Sequence, residues 1–187
     1  MSTQTKPNKA TSSLFGLAII GYRDHPSVPW YKDVWDSWTI PKHSVIGWLI
    51  QRQALNTRDK LFQLGICGSN CCVMCELEPE THAHLFSECA YSKQVINLLE
   101  HWLLMRIQTP PGHSSTVRRK VWRVVRLSWW YVLWLERNTR RIDMKLRRPE
   151  VLVSEIQKMV QQRIQQKFCS NGQQAEVSWL NSLGINV

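Results

Sequence analysis

Cys72-Val73-Met74-Cys75 and His84-Leu85-Phe86-Ser87-Glu88-Cys89 are the stretches whose reading decides the fold. Their donor residues follow C-x2-C-x8-H-x4-C, three thiols and one imidazole within eighteen residues. That donor set and spacing suit a closed tetrahedral zinc site. The two-residue gap lets both sulfurs reach one ion from a tight turn, and the longer gap leaves room for a second element before His84 and Cys89 close the site. Four protein ligands leave no coordination position for water or substrate. Such a site contributes folding free energy, on the order of 10–16 kcal/mol apparent in small zinc modules, and has no bound water to activate.

The spacing alone leaves rivals open. Cys71 is an alternative to Cys72, giving C-x3-C, and His82 is an alternative to His84, because the rings of an extended H-x-H pair point to opposite sides. Only one of each pair is expected to bind. Ordinary buried thiols of a reducing compartment, or a disulfide framework, are further alternatives. Cys67 and Cys169 have no comparable partners and read as structural or free thiols.

The residues around this cluster extend the pattern. Trp35 and Trp38 precede Ile40-Pro41-Lys42-His43, followed by Trp48-Leu49, Leu55-Asn56-Thr57-Arg58-Asp59-Lys60-Leu61, Gly65-Ile66, Glu80-Thr81 and His84-Leu85-Phe86. In order and spacing this resembles the zinc-binding domain of plant non-LTR (LINE-type) retrotransposon reverse transcriptases. Leu133-Trp134-Leu135-Glu136-Arg137-Asn138-Thr139-Arg140-Arg141 resembles the segment that follows the domain in such elements, so the likeness covers about residues 30 to 145. The resemblance implies a module at the C-terminal end of a polymerase polyprotein that helps to hold nucleic acid during reverse transcription. The sequence departs from that setting: it starts with Met1 and shows no Asp-Asp pair of a two-metal polymerase, no endonuclease and no ribonuclease H carboxylate cluster. A stand-alone remnant or domesticated fragment is the expectation, and polymerase activity is not carried over.

With 187 residues, 43% of them hydrophobic, the chain can bury one core. Its net charge of +10 favours polyanionic partners. Between Val117 and Arg148 stand eleven Lys/Arg, nine of them Arg, against only Glu136 and Asp143, so nine of the ten net charges fall in one segment. Leu14 to Ile20 is too short an apolar run, with no small-residue cleavage site after it, to read as a secretory signal. Arg123 and Arg126 interrupt the stretch from Val121 to Leu135, which argues against a membrane span. Nucleus or cytoplasm is the expected location, where paired thiols are more often metal ligands than disulfides.

The fold class predicted is mainly α, a single helical domain organised around a small CCHC zinc knuckle. A flexible tail is expected over 1–28, the zinc-binding domain over 29–110, and a basic helical region packed on it over 111–187. Pro29 and Pro41 bracket a short helix, with Pro41 read as a break. A second helix is predicted from His43 to Leu55, burying Ile46, Leu49 and Ile50, and a third capped by Thr57 and ending at Gly65. Ser92 is read as the cap of a helix carrying Val95, Leu98, Leu99, Trp102 and Leu103. The longest helix is predicted from Ser115 or Thr116 past Arg140, on the stripe Val121, Val125, Trp129, Val132 and Leu133. After Pro149, Leu152, Ile156, Met159 or Val160, Ile164 and Phe168 mark a last amphipathic helix. Gly172 precedes a short segment around Trp179.

Off the long helix's apolar stripe, Arg118, Arg119, Lys120, Arg123, Arg126, Arg137, Arg140 and Arg141 form the candidate nucleic-acid surface. Arg suits phosphate because its planar fork bonds two oxygens at once. The competing reading is a solvated face with no ligand. Adjacent residues on a helix point apart, so one of Trp129 and Trp130 is expected to be exposed, as a stacking platform or a partner surface, unless the helix is packed on two sides. His101 and His113 suggest no role. No nucleophile elbow, phosphate-cradling Gly loop or paired-carboxylate site is present, and Asp33, Asp36 and Asp59 read as helix-first-turn charges.

These observations together predict one structural Zn2+ and a non-catalytic module that contacts the backbone of RNA or DNA. The alternatives are a zinc-stabilised protein-interaction module, docking through the Gln-rich last helix or a Trp-rich surface, and a translated remnant without function.

Overall fold

The computed structural model describes residues 28–112, 116–143, 147–168 and 174–186. The expectations for most of the tail, Leu14 to Ile20, His113, Ser115, Cys169 and Gly172 lie outside them. The described residues form α1 (Tyr31–Val34), α2 (Pro41–Gln51), α3 (Arg58–Gln63), a π-helical turn (His84–Glu88), α4 (Ala90–Leu103), α5 (Thr116–Asp143), α6 (Pro149–Lys167) and α7 (Gln174–Ser182). They hold no strand; their β-type pairing is an isolated bridge between Cys71 and Pro79. The mainly helical class predicted from the sequence is thus the class observed.

Pro41 opens α2 instead of breaking the chain. Its missing N–H costs nothing at the first helical position, where that donor has no intrahelical partner. α2 buries His43, Ser44 and Gly47, while Ile46, Leu49 and Ile50 are only half-buried. The reason is close approach to α5: a Cβ on Gly47 would lie 2.4 Å from Cδ2 of the buried Leu127. Small residues here let the two backbones pack where larger ones would hold them apart.

Thr57 stands at the N-cap of α3, but its side chain makes no capping bond. Glu80 takes that role, its Oε1 accepting from Arg58 N at 2.9 Å. α3 ends in a Schellman motif, with Ile66 N donating to Leu61 O and Gly65 N to Phe62 O. Gly65 supplies the required left-handed residue at φ 69°. Ser92, read as a cap, lies inside α4, whose N-cap is Cys89; the Ser92 hydroxyl donates instead to Leu85 O at 2.6 Å.

α5 is the axis of the molecule. α2 packs along it on one side and α6 on another, α1 also touches it, and α4 lies against α6. A helix covered on several sides buries residues beyond one narrow stripe, and α5 buries Val121, Trp122, Val124, Val125, Leu127 and Ser128 in close succession. Trp129 and Trp130 are therefore both buried, at 1% and 6% exposure, against the expectation of one exposed platform. None of the ten Trp is exposed. α6 follows its predicted stripe, with Val160 rather than Met159 among the buried residues. One hydrophobic cluster runs from Val34 to Ile185, drawing on both sides of the sequence division at residue 110.

Candidate metal centre and the basic helix

The segment 70–80 folds back on itself through three backbone bonds. Glu80 N donates to Asn70 O, Cys72 N to Glu78 O and Glu76 N to Cys72 O, each at 2.8 Å. Glu76, at φ 58°, turns the chain at the tip. Met74 N points at Cys72 Sγ, 3.4 Å away. N–H groups aimed at a sulfur favour its thiolate form, so this turn presents Cys72 and Cys75 ready for a cation.

His84 and Cys89 come from the π-turn. Residues five apart on an α-helix sit about 140° apart around the axis and would not face one ion. Here Cys89 N donates to His84 O at 2.7 Å, a wider i→i+5 turn that brings the two side chains back to one side. Thr81 fixes the entry, its Oγ1 accepting from His84 N at 3.0 Å.

The donor atoms of Cys72, Cys75, His84 and Cys89 all lie within 4.8 Å of one another. Cys72 Sγ to Cys89 Sγ is 4.0 Å and Cys75 Sγ to His84 Nε2 is 3.3 Å. A tetrahedron with Zn–S of about 2.3 Å and Zn–N of about 2.0–2.1 Å has edges of about 3.8 Å between sulfurs and about 3.6 Å between sulfur and nitrogen. The donors thus fit one structural zinc ion with all four positions filled by protein. The Cys89 thiol is held down to about 5, first by its hydrogen bond with Cys72, while that same bond and then burial push the Cys72 thiol up. Two thiols this close share one proton, and a divalent cation would take both as thiolates.

Cys71 and His82 fall outside this cluster. Cys71 pairs its backbone with Pro79. The His82 Nε2 is buried without a partner, and burial, then Lys60, lowers that ring's pKa. Cys67 is half-buried, its Sγ 3.2 Å from Ser69 O.

Glu80 is the residue that sequence reasoning missed. Fully buried, it accepts from Arg137 Nη2 at 2.6 Å and Nε at 2.9 Å through one oxygen, which also receives Arg58 N. Arg137 Nη2 reaches Asn56 O as well. Glu136, also buried, binds Arg140 at 2.9 Å and Arg147, and Arg140 Nη1 donates to Met74 O inside the cysteine turn. Burial alone would raise the Glu136 carboxyl, but the bonds from Arg140 and Arg147 hold it below the usual range. The long helix thus grips the metal-binding turn through two buried arginines, Arg137 on Glu80 and Arg140 on Met74 O, each held by a buried carboxylate. The signal available was Glu80 and Arg137 each standing within the quoted resemblance.

The candidate nucleic-acid residues divide accordingly. Arg118, Arg119 and Arg141 are exposed, and Lys120 is half-buried over the Trp38 ring. Arg123 is half-buried, bonding Asp33 and Asp36 at 3.0 Å each, so those acids serve as its partners and not only as helix-end charges. Arg126 is half-buried between Trp122 and Trp130. Arg137 and Arg140 are buried, correcting the expectation of a solvent-facing stripe at those two positions. No helix among the described residues is long and apolar enough to cross a membrane.

Fold and site define a small helical module organised by a closed Cys3His metal centre. Residues 19–95, which hold all four ligands, match the family described as zinc-binding in reverse transcriptase. The match covers fewer than half of the chain's residues and ends before α5. No curated protein and no solved structure matches the chain.

Proposed function

We propose that the chain is a non-catalytic, zinc-stabilised module that binds the phosphate backbone of nucleic acid, derived from a plant non-LTR retrotransposon reverse transcriptase and acting in the nucleus or cytoplasm. The observation that carries this reading is the exposed basic turn at the start of α5. Arg118 and Arg119 face solvent there, and Arg119 shares a cleft of about 420 Å³ with Lys32 and Arg123. Asp33, which also lines the cleft, and Asp36 orient Arg123 there, so the turn rests on a fixed scaffold. The burial of Arg137 and Arg140 removes them from the proposed contact set and moves it toward the N-terminal half of α5.

The test is the affinity of zinc-loaded protein for single-stranded RNA and duplex DNA between about 50 and 200 mM salt. A steep fall in log affinity with log salt is expected, shallower by about one unit for each phosphate contact removed in Arg118→Gln and Arg119→Gln. Absence of binding at the lowest salt would contradict it.

A second reading, a protein-interaction module, is favoured by apolar side chains left in water: Leu64 and Ile66 after α3 are 70% and 63% exposed, and Ile142 near the end of α5 is 77% exposed. Association through them would be nearly indifferent to salt.

A further inference from the structure

Three residues on the wall of one cleft each carry a buried nitrogen with no hydrogen-bond partner: Arg126 at Nε, Trp129 at Nε1 and His82 at Nε2. The cleft, about 220 Å³, lies where the end of α2, the chain entering the π-turn and the middle of α5 meet, and Gln53, Phe86 and Trp130 also line it. Buried polar groups in folded proteins are nearly always paired, so three unpaired ones around a single cavity point to a ligand that supplies acceptors.

Charge narrows the chemistry. The guanidinium of Arg126 lies 4.9 Å from the centre of the Trp122 ring and 4.3 Å from that of Trp130, which fixes its plane. Burial lowers its pKa to about 10, with Asp33 opposing, so it remains a cation at neutral pH. Asp33 bonds Arg123 instead, no described acid forms an ion pair with Arg126, and none lines the cleft. Of the half-buried and buried Arg on α5, Arg123, Arg137 and Arg140 each have a carboxylate; Arg126 does not. The apolar walls from Phe86, Trp129 and Trp130 lower the local dielectric, which strengthens a charge-assisted bond made there.

Size narrows it again. Pockets for whole small molecules run to about 300–1,000 Å³, so this one suits a single group of a larger ligand. Arg126 is seven residues beyond the exposed Arg119, which places them on the same side of α5 about 10 Å apart. A strand advancing about 3.4 Å per nucleotide covers that distance in about three nucleotides.

We propose that this cleft is an anion site seating one phosphate group of a nucleic-acid strand, held by Arg126 and Trp129 with His82 also on its wall. This rests on the nucleic-acid reading above and gives it an interior anchor.

The test follows the side-chain N–H resonances of zinc-loaded full-length protein, with the Trp129 indole assigned by Trp129→Phe and the Arg126 Nε–H by Arg126→Gln. Inorganic phosphate and a single-stranded oligonucleotide of about twelve nucleotides are titrated separately. Both probes should move both resonances, the oligonucleotide at far lower concentration. Arg126→Gln should weaken oligonucleotide binding about ten- to a hundredfold, and Trp129→Phe, which removes the donor together with part of the ring, several-fold. Zinc content and melting temperature identify a variant that has simply lost its fold, and the wild-type resonances then decide.

An oligonucleotide that binds in a salt-dependent way while neither resonance moves would overturn the cleft and leave the basic turn standing. Phosphate that shifts both resonances while the oligonucleotide fails to bind would support the anion site and overturn the strand as its source. Silence from both resonances with both probes would overturn the proposal.

Discussion

Arg137 Nη2 lies 2.6 Å from Glu80 Oε1, with both side chains withdrawn from water and fifty-seven positions apart in sequence. The pair joins the C-terminal half of the long helix to the last residue of the cysteine turn, nine positions before Cys89. Breaking a buried, hydrogen-bonded pair strands a charge and costs about 3–5 kcal/mol. Arg137→Met is therefore expected to lower stability by about that amount in denaturant titrations of the zinc-loaded protein. The double variant with Glu80→Gln should recover part of the loss. A single variant as stable as the wild type would show the pair to be dispensable.

His43 supplies a pH dependence. Its ring stacks on Tyr131 at 4.3 Å, shares a hydrogen bond with Ser128 Oγ at 3.0 Å, and leaves Nε2 buried without a partner. Burial, then Lys42, depresses its pKa from 6.5 to about 3. Between those values the unfolded chain binds the proton and the folded one does not. Stability is therefore full above pH 6.5 and falls as pH drops toward 3, by at most about 1.4 kcal/mol per unit. The zinc ligands also take up protons in this range, so the comparison is with His43→Asn, which keeps a polar atom near Nδ1. Its stability should depend less steeply on pH than that of the wild type; identical slopes would remove His43 as a source.

Much of this architecture was legible in the chain. α4 and α6 each present one apolar stripe, and their buried faces follow the predicted spacing at Val95, Leu99 and Leu103 and at Leu152, Ile156 and Ile164. α5 was read only in part. Its apolar stripe is real, but a stripe does not show which further elements cover the positions flanking it, so it said nothing about Trp130 or about the burial of Arg137 and Arg140. Their carboxylate partners are remote in sequence for Arg137 and local for Arg140, and charge counting sees neither. Spacing could not choose between Cys71 and Cys72, or between His82 and His84. The choice is made by the Cys71–Pro79 bridge and the i→i+5 turn, both of which depend on backbone geometry.

Removing the metal should loosen the segment from Cys67 to Cys89 first, because the backbone bonds of its cysteine turn are few and the ion closes the remainder. Amide exchange after chelation is expected to speed up there and in α3, with α5 and α6 less affected. Structural zinc contributes many kcal/mol, on the order of ten, in small modules, so the melting temperature should also fall well below that of the loaded protein. Unchanged exchange in the cysteine turn would argue against a structural role for the ion.

The most direct measurement is zinc stoichiometry by mass spectrometry under native conditions, across Cys71→Ser, Cys72→Ser, His82→Asn and His84→Asn. One bound zinc is predicted for the wild type, Cys71→Ser and His82→Asn, with loss or marked weakening in Cys72→Ser and His84→Asn. Zinc retained at full affinity in Cys72→Ser and lost in Cys71→Ser would contradict the metal centre on which the fold is built.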